Sequence, residues 1–282
     1  MFVRADKLLG PRTYPTIGYH VIDFEWEGYE PLLFWYVERE GHIERADLKE
    51  IEWKVSSNKR CIGRSDEKGY HRCPDSMPVS RFAQCPRCSA AWIGHQECIF
   101  EPMCAGERCG STICGKEHTV YMAFFGESAK VGMTTSSRLE ERGIEQGADA
   151  IVPLVMSPNR MEGRRAEKEI SMQLDVTQQI SRKKAVSLLA RPVMWDKLEQ
   201  TYERFLKILS RKMDVLGERL IRLDGYPLKG LQGRKVDLVP TEGAHKGKVL
   251  GLKGKFLVYL DEEGRTCAME ASDLPGRHIS AK

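Results

Sequence analysis

Eight of the nine cysteines fall close together: Cys61, Cys73, Cys85, Cys88, Cys98, Cys104, Cys109 and Cys114, with Cys267 far downstream. CPRC at 85–88 has the two-residue spacing that lets two thiolates reach one ion from a single tight turn. An odd count without a secretion signal argues against a disulfide framework. In sequence order the eight divide into two sets of four, Cys61, Cys73, Cys85 and Cys88, then Cys98, Cys104, Cys109 and Cys114. Four soft thiolates with no open position form a structural zinc site, so two zinc ions are expected. The Gly, Pro, Arg and Glu residues between the cysteines would make a poor apolar core, which weighs against scattered buried thiols. His118 is either a substitute ligand or a loop histidine, the second being simpler. Cys267 stands alone in an expected strand and is read as core.

A second set of reactive types lies in VYMAFFGESAKVGMTTSSRLEER, 120–142. Arg138 and Arg142 are spaced i, i+4 and share a helix face, as a solvated pair or as a phosphate clamp. On a helix beginning near Arg164, the stripe Ala166, Ile170, Leu174 leaves Glu167 about 60° from its centre, tucked against the domain. A tucked acid needs a cation, and a salt bridge to Arg138 or Arg164 and a bound metal are equal readings. Tyr121 alternates with Met122, so one of them faces the core.

The elements that must hold these residues follow from periodicity. A chain of 282 residues with 41% hydrophobic and 30% charged residues fits a soluble, globular α+β protein. Residues 1–56 read as an N-terminal β region, with IDFEWE (22–27) and LLFWYV (32–37) joined by GYEP. Residues 57–118 form the cysteine-rich segment, which could not pack without metal. In 119–220, TVYMAFF and AKVGM are strands around the turn GES, and TTSSRLEERGIEQG is a helix with a Ser137–Glu140 capping box and Gly147 as C-terminal cap. AIVPLVM (150–156) is a strand, a helix runs through RAEKEISMQL, and a longer one spans 194–220. The order β-β-α-β-α describes a small α/β unit with a helical extension. Residues 233–282 read as a small β-barrel-like domain whose lysines, Lys246, Lys248, Lys253 and Lys255, either touch phosphates or protect a sheet edge.

The net charge of +4 is mildly basic and permits a nucleic-acid partner without demanding one. The segment 160–184, which includes Arg164 and Arg165, is locally basic. MFVRADKLLGPRTYP lacks the apolar core of a signal peptide, and no apolar run reaches the length of a membrane span, so an intracellular, cytoplasmic protein is expected.

VYM (120–122) and KVG (130–132) resemble the two strand motifs of the GIY-YIG nuclease superfamily, with Arg138 where a helix presents the family's arginine and Glu167 where its metal-binding glutamate is expected. More specifically, HTVYMAFFGESAKVGMTTSSRLEERGIEQGADAIVPL, with the cysteine segment before it, resembles the family known as domain of unknown function 2797. The superfamily likeness implies a site of Tyr121, Lys130, Arg138 and Glu167. There tyrosines activate water, arginine neutralises phosphate and glutamate holds magnesium or manganese. The second motif normally begins with tyrosine; here it is Lys130, which weighs against ordinary nuclease activity. Lysine is a base only when its pKa is strongly lowered.

Three functions compete. One is a zinc-containing, nucleic-acid-handling enzyme, a slow divalent-metal-dependent nuclease, with RNA favoured over DNA. Its phosphate contacts would be Arg138, Arg142, Arg164, Arg165, Lys253 and Lys255. Another keeps the phosphate grip without chemistry. The third is a scaffold whose zinc segment and long helix assemble proteins.

Overall fold

The computed structural model describes residues 17–89, 98, 101–108 and 111–281. Strand β1 (Ile17–Glu27) turns at Gly28–Tyr29 into β2 (Glu30–Val37), followed by β3 (His42–Arg45) and β4 (Glu50–Arg60). The short strands β5 (Arg64–Asp66), β6 (Gly69–His71) and β7 (Pro78–Val79) belong to the cysteine segment. Next come β8 (His118–Phe125), β9 (Ser128–Thr135), α1 (Leu139–Gln146), β10 (Ala150–Ser157) and α2 (Arg160–Leu174). Then follow α3 (Arg182–Leu188), α4 (Trp195–Leu209) and β11 (Ile221–Arg222). The last strands are β12 (Val236–Leu238), β13 (Gly243–Lys253), β14 (Phe256–Asp261), β15 (Thr266–Glu270) and β16 (Arg277–Ala281).

The N-terminal and C-terminal β regions, expected as separate units, share one sheet in the order β12-β15-β14-β13-β4-β16-β1-β2-β3. β4 lies between β13 and β16, with Gly243–Lys248 opposite Val55–Glu50 and Ile279 opposite Val55. Each group of strands alone would leave unpaired backbone edges; joining them satisfies those groups. Only β12 runs parallel to its neighbour, β15.

The second sheet has the order β11-β10-β8-β9 and is antiparallel throughout. Every residue of β8 is buried, because the strand has a core on each face. Tyr121, Ala123 and Phe125 join the core beneath the large sheet, with Ile144 of α1 and Ile151. Val120, Met122 and Phe124 join the other core, with Ile170 and Leu174 of α2 and Leu198 and Leu209 of α4. This two-sided burial explains the near-continuous apolar run of β8.

Three helix expectations change. The helix after β9 begins with a 3₁₀ turn, Ser136–Arg138, and neither that turn nor α1 has a side-chain cap, so the Ser137–Glu140 box does not form. Gly147 does cap α1 in the left-handed conformation, φ 78°, its N–H reaching Gly143 O and Ile144 O. The helix expected over 194–220 is α4 alone and stops at Leu209; the chain then turns back, bonding Leu216 N to Leu154 O and Tyr202 Oη to Glu218 O, to add β11 to the small sheet. α2 starts earlier than Arg164, at Arg160, because Asn159 caps it by accepting from Glu162 N–H. Among the described residues no helix is long and apolar enough to cross a membrane.

Candidate functional site

The β8–β9 hairpin sets Tyr121 opposite Gly132 and Ala123 opposite Lys130, so Tyr121 and Lys130 share one face. Tyr121 is 1% exposed, and its hydroxyl accepts from Gln146 Nε2 at 2.9 Å. Burial raises the phenol, and the Arg142 guanidinium beside it opposes that rise. Lys130 is half-buried, and among the described residues its ammonium forms one hydrogen bond, to a backbone carbonyl, Gln178 O, at 3.5 Å. Burial, then the charges of Arg142 and Lys255, push Lys130 down to about 8 from an ordinary 10.5. Glu167 acts the other way.

The two arginines of the α1 region separate. Arg138 ends the 3₁₀ turn rather than lying on α1, and it is held by Glu141 at 2.8 Å and by Glu145, with about half its side chain in solvent. Arg142 sits one helical turn before Gln146, against Tyr121, and shares Glu145 at 2.8 Å. Thus the structure brings Tyr121, Lys130 and Arg142 together and turns Arg138 to an acidic exterior.

Glu167 is 7% exposed and on the inner stripe of α2. Its carboxylate takes a 2.7 Å bond from Arg164 Nη1, which also donates to Gln178 Oε1 at 2.8 Å. Arg164 Nε and Lys168 both bind Glu101 of the cysteine segment. Arg164 is therefore a structural tie, while Arg165 pairs with Glu162 on the outer face. Among the described residues Glu167 belongs to no group of three or more His, Cys, Asp or Glu side chains spaced to hold an ion.

The β13–β14 turn approaches from the large sheet. Gly254 lies on the Gln146–Gly147 backbone so closely that a Cβ there would be 2.3 Å from Gly147 N. Only glycine permits that contact at its φ of 55°. Lys253 is committed to an ion pair with the buried Asp149 and lies over the Tyr226 ring, whereas Lys255 is exposed. Gln146, Gln178 and Asp149 are not singled out by the sequence; among them only Gln146 has a signal, its i+4 spacing from Arg142, while Gly132 enters as the last residue of KVG.

In the cysteine segment Cys61, Cys73, Cys85 and Cys88 are buried and their sulfurs lie within 4.8 Å of one another, so they could hold a metal such as zinc. Cys73 and Cys85 Sγ are 4.0 Å apart, close to the ~3.8 Å edge of a tetrahedron with 2.3 Å Zn–S bonds. Cys61 Sγ accepts N–H groups from Gly63 at 3.4 Å and Cys85 at 3.2 Å, as suits a thiolate carrying negative charge. Of the second set, Cys109 lies outside the described residues; Cys98, Cys104 and Cys114 are buried. Cys104 repeats the first turn, accepting from Gly106 N–H at 3.4 Å, and Cys114 Sγ accepts from Arg160 Nη1 at 3.8 Å. His118 is the first residue of β8, its Nδ1 2.8 Å from Lys116 O. Cys267 is core, in β15.

Over residues 49–271 the chain matches the family described as Protein of unknown function (DUF2797), and it belongs to that family. Comparison with curated proteins and with solved structures finds no match.

Proposed function

We propose that this member of the family handles nucleic acid, RNA before DNA, and grips its phosphates at Lys130 and Arg142. The observation that carries the reading is Lys130, a half-buried cation beside Tyr121 and Arg142 that, among the described residues, forms no ion pair and feels the charge of Glu167 only as the weakest of the influences on it. Such a group is costly in isolation and is satisfied by an oxyanion. The order β8-β9-α1-β10-α2, with VYM and KVG on adjacent strands, agrees with the resemblance to the GIY-YIG superfamily. The proposed role of the cysteines is structural: one zinc at Cys61, Cys73, Cys85 and Cys88, and a second at Cys98, Cys104, Cys109 and Cys114. The repeated Cys-x-Gly turn at 61–63 and 104–106 supports the second ion.

Slow phosphodiester hydrolysis is the second reading, and one observation favours it. A lysine near 8 can exchange a proton close to neutrality, which an ordinary lysine cannot. Magnesium or manganese would supply charge neutralisation at the phosphate, with Glu167 as the carboxylate to hold it. Glu167 is already paired with Arg164, so that pair must open to admit an ion.

Labelled folded RNA, single strands and duplex DNA, tested at low salt with and without magnesium or manganese, decide among these. Salt-sensitive binding lost in Lys130→Ala and Arg142→Ala supports the grip. Cleavage abolished by Glu167→Ala, with folding intact, supports the enzyme. Absence of binding to all three at low salt overturns both and leaves a protein-assembly scaffold.

A further inference from the structure

The small sheet does not complete the cationic site by itself. Lys130 comes from its edge strand β9, while Lys255 comes from the β13–β14 turn of the large sheet. A chain of contacts links the two elements that carry them. Tyr121 lies across Gly132, two residues from Lys130. Gln146 bonds the Tyr121 hydroxyl, and Gly254 rests on the Gln146–Gly147 backbone immediately before Lys255. The turn is held there by Trp26 Nε1, which donates to Gly254 O at 3.0 Å, and by the Lys253–Asp149 ion pair. Neither Lys130 nor Lys255 forms an ion pair among the described residues. Arg142 adds a third positive group, offset in part by Glu145.

We propose that Lys130 and Lys255 form one phosphate-binding site across the seam between the two sheets, so that a single phosphate group is held from both sides. The inference rests on the anion-grip reading of Lys130 but adds the large sheet as half of the site. Like charges placed together across a packed seam repel, and a dianionic or monoanionic phosphate between them converts that repulsion into two charge-assisted hydrogen bonds. After burial and the charge of Arg142, the positive charge of Lys255 also lowers Lys130, in keeping with that placement of the turn. Lys255, being exposed, leaves the site open to a phosphate carried on a chain as well as to a free one.

The test uses the full-length protein with its metal content checked. Affinity for a fluorescent 20-nucleotide folded RNA and for inorganic phosphate is measured for wild type, Lys255→Ala, Lys255→Glu and Lys248→Ala. Lys248 is an exposed lysine of β13 opposite Glu50 of β4 and serves as the control. Lys255→Ala is expected to weaken both ligands about tenfold, and to reduce the log–log salt slope for RNA by about 0.7–0.9, one phosphate contact. Lys248→Ala should leave both unchanged. Acylation of Lys130 at pH 8, read by mass spectrometry, should slow when phosphate is added and also in Lys255→Glu, where removal of the neighbouring positive charge restores the lysine's proton affinity. Phosphate binding that needs Lys255, without RNA binding, supports the seam site and removes the nucleic-acid reading. RNA binding lost in Lys130→Ala but equal in Lys255→Ala and Lys248→Ala overturns the seam site and keeps the grip. Lys130 acylation indifferent to phosphate and to Lys255→Glu also overturns it.

Discussion

A Cβ placed on Gly132 would lie 2.5 Å from the hydroxyl oxygen of Tyr121 and 2.6 Å from its Cζ. The two residues are directly opposite in the β8–β9 ladder, so the aromatic ring covers a backbone that carries no side chain. Gly132→Ala is expected to displace the ring, break the Gln146–Tyr121 bond and destabilise the domain by about 1–3 kcal/mol through overpacking. The denaturant midpoint checks the energy, and exposure of Tyr121 to solvent-quenched fluorescence or hydrogen exchange at β9 checks the displacement. A variant as stable as the wild type would mean that the ring can move without loss.

This contact shows what the sequence carried and what it did not. β8, β9 and β10, with α1 and α2, were legible because those strands are apolar runs with turn residues between them and because Gly147 marks the end of α1. Partners were not legible: the alternation in IDFEWE marks a strand of the N-terminal region and the glycine-separated runs mark strands within 233–282, but neither says that β4 pairs with both β13 and β16. Arg138 and Arg142 differ only because the helix opens with a 3₁₀ turn, which moves Arg138 off the α1 face that their spacing assigned it. Lys253 and Lys255 look alike in sequence, yet one neutralises Asp149 and the other faces solvent. The cysteine cluster needed no tertiary information, since CPRC supplies two of its members and chain order the others.

The two proposed zinc sites predict a metal content. Protein purified without a metal-binding tag should carry two zinc ions per chain by elemental analysis. Cys88→Ser should lose one and unfold residues 61–89, because binding there is also folding free energy. Protease nicking within that segment provides the structural readout. One ion in the wild type, with Cys104→Ser unchanged in metal content, would remove the second site.

The separation of the two arginines gives a comparison within a single helix region. Arg142→Ala should lower RNA affinity and reduce the log–log salt slope by about 0.7–0.9. Arg138→Ala should have a smaller effect, because its guanidinium is bound by two carboxylates, Glu141 and Glu145, whereas Arg142 has Glu145 alone and lies against Tyr121. Equal losses in both variants would place Arg138 in the contact surface after all. Binding measured against pH should also fall as Lys130 deprotonates above about 8, its charge being what the phosphate meets.

Acid stability depends on a different pair. His20 is 2% exposed, its ring stacked on that of His278 at 4.6 Å and 2° between planes, and its Nε2 has no hydrogen-bond partner among the described residues. Burial, followed by the charge of His278, pushes His20 down to about 4 from 6.5, against a hydrogen bond to the Arg60 backbone. Arg72 lowers it further and Glu38 opposes. Below about 6.5 the unfolded chain takes a proton at this position that the folded chain refuses until about 4. Stability is therefore full above 6.5 and is lost as pH falls through that window, by up to roughly 3 kcal/mol at one shift unit per 1.36 kcal/mol. His278, also lowered by burial, adds to the same slope. Urea midpoints at pH 7, 6, 5 and 4.5 should fall steadily in the wild type. In His20→Phe, which keeps a ring in the stack but carries no titrating nitrogen, the fall should be shallower by about half. An unchanged slope in that variant would assign the acid sensitivity to other groups, with the proposed metal-ligand cysteines first among them because protonation would release a bound metal.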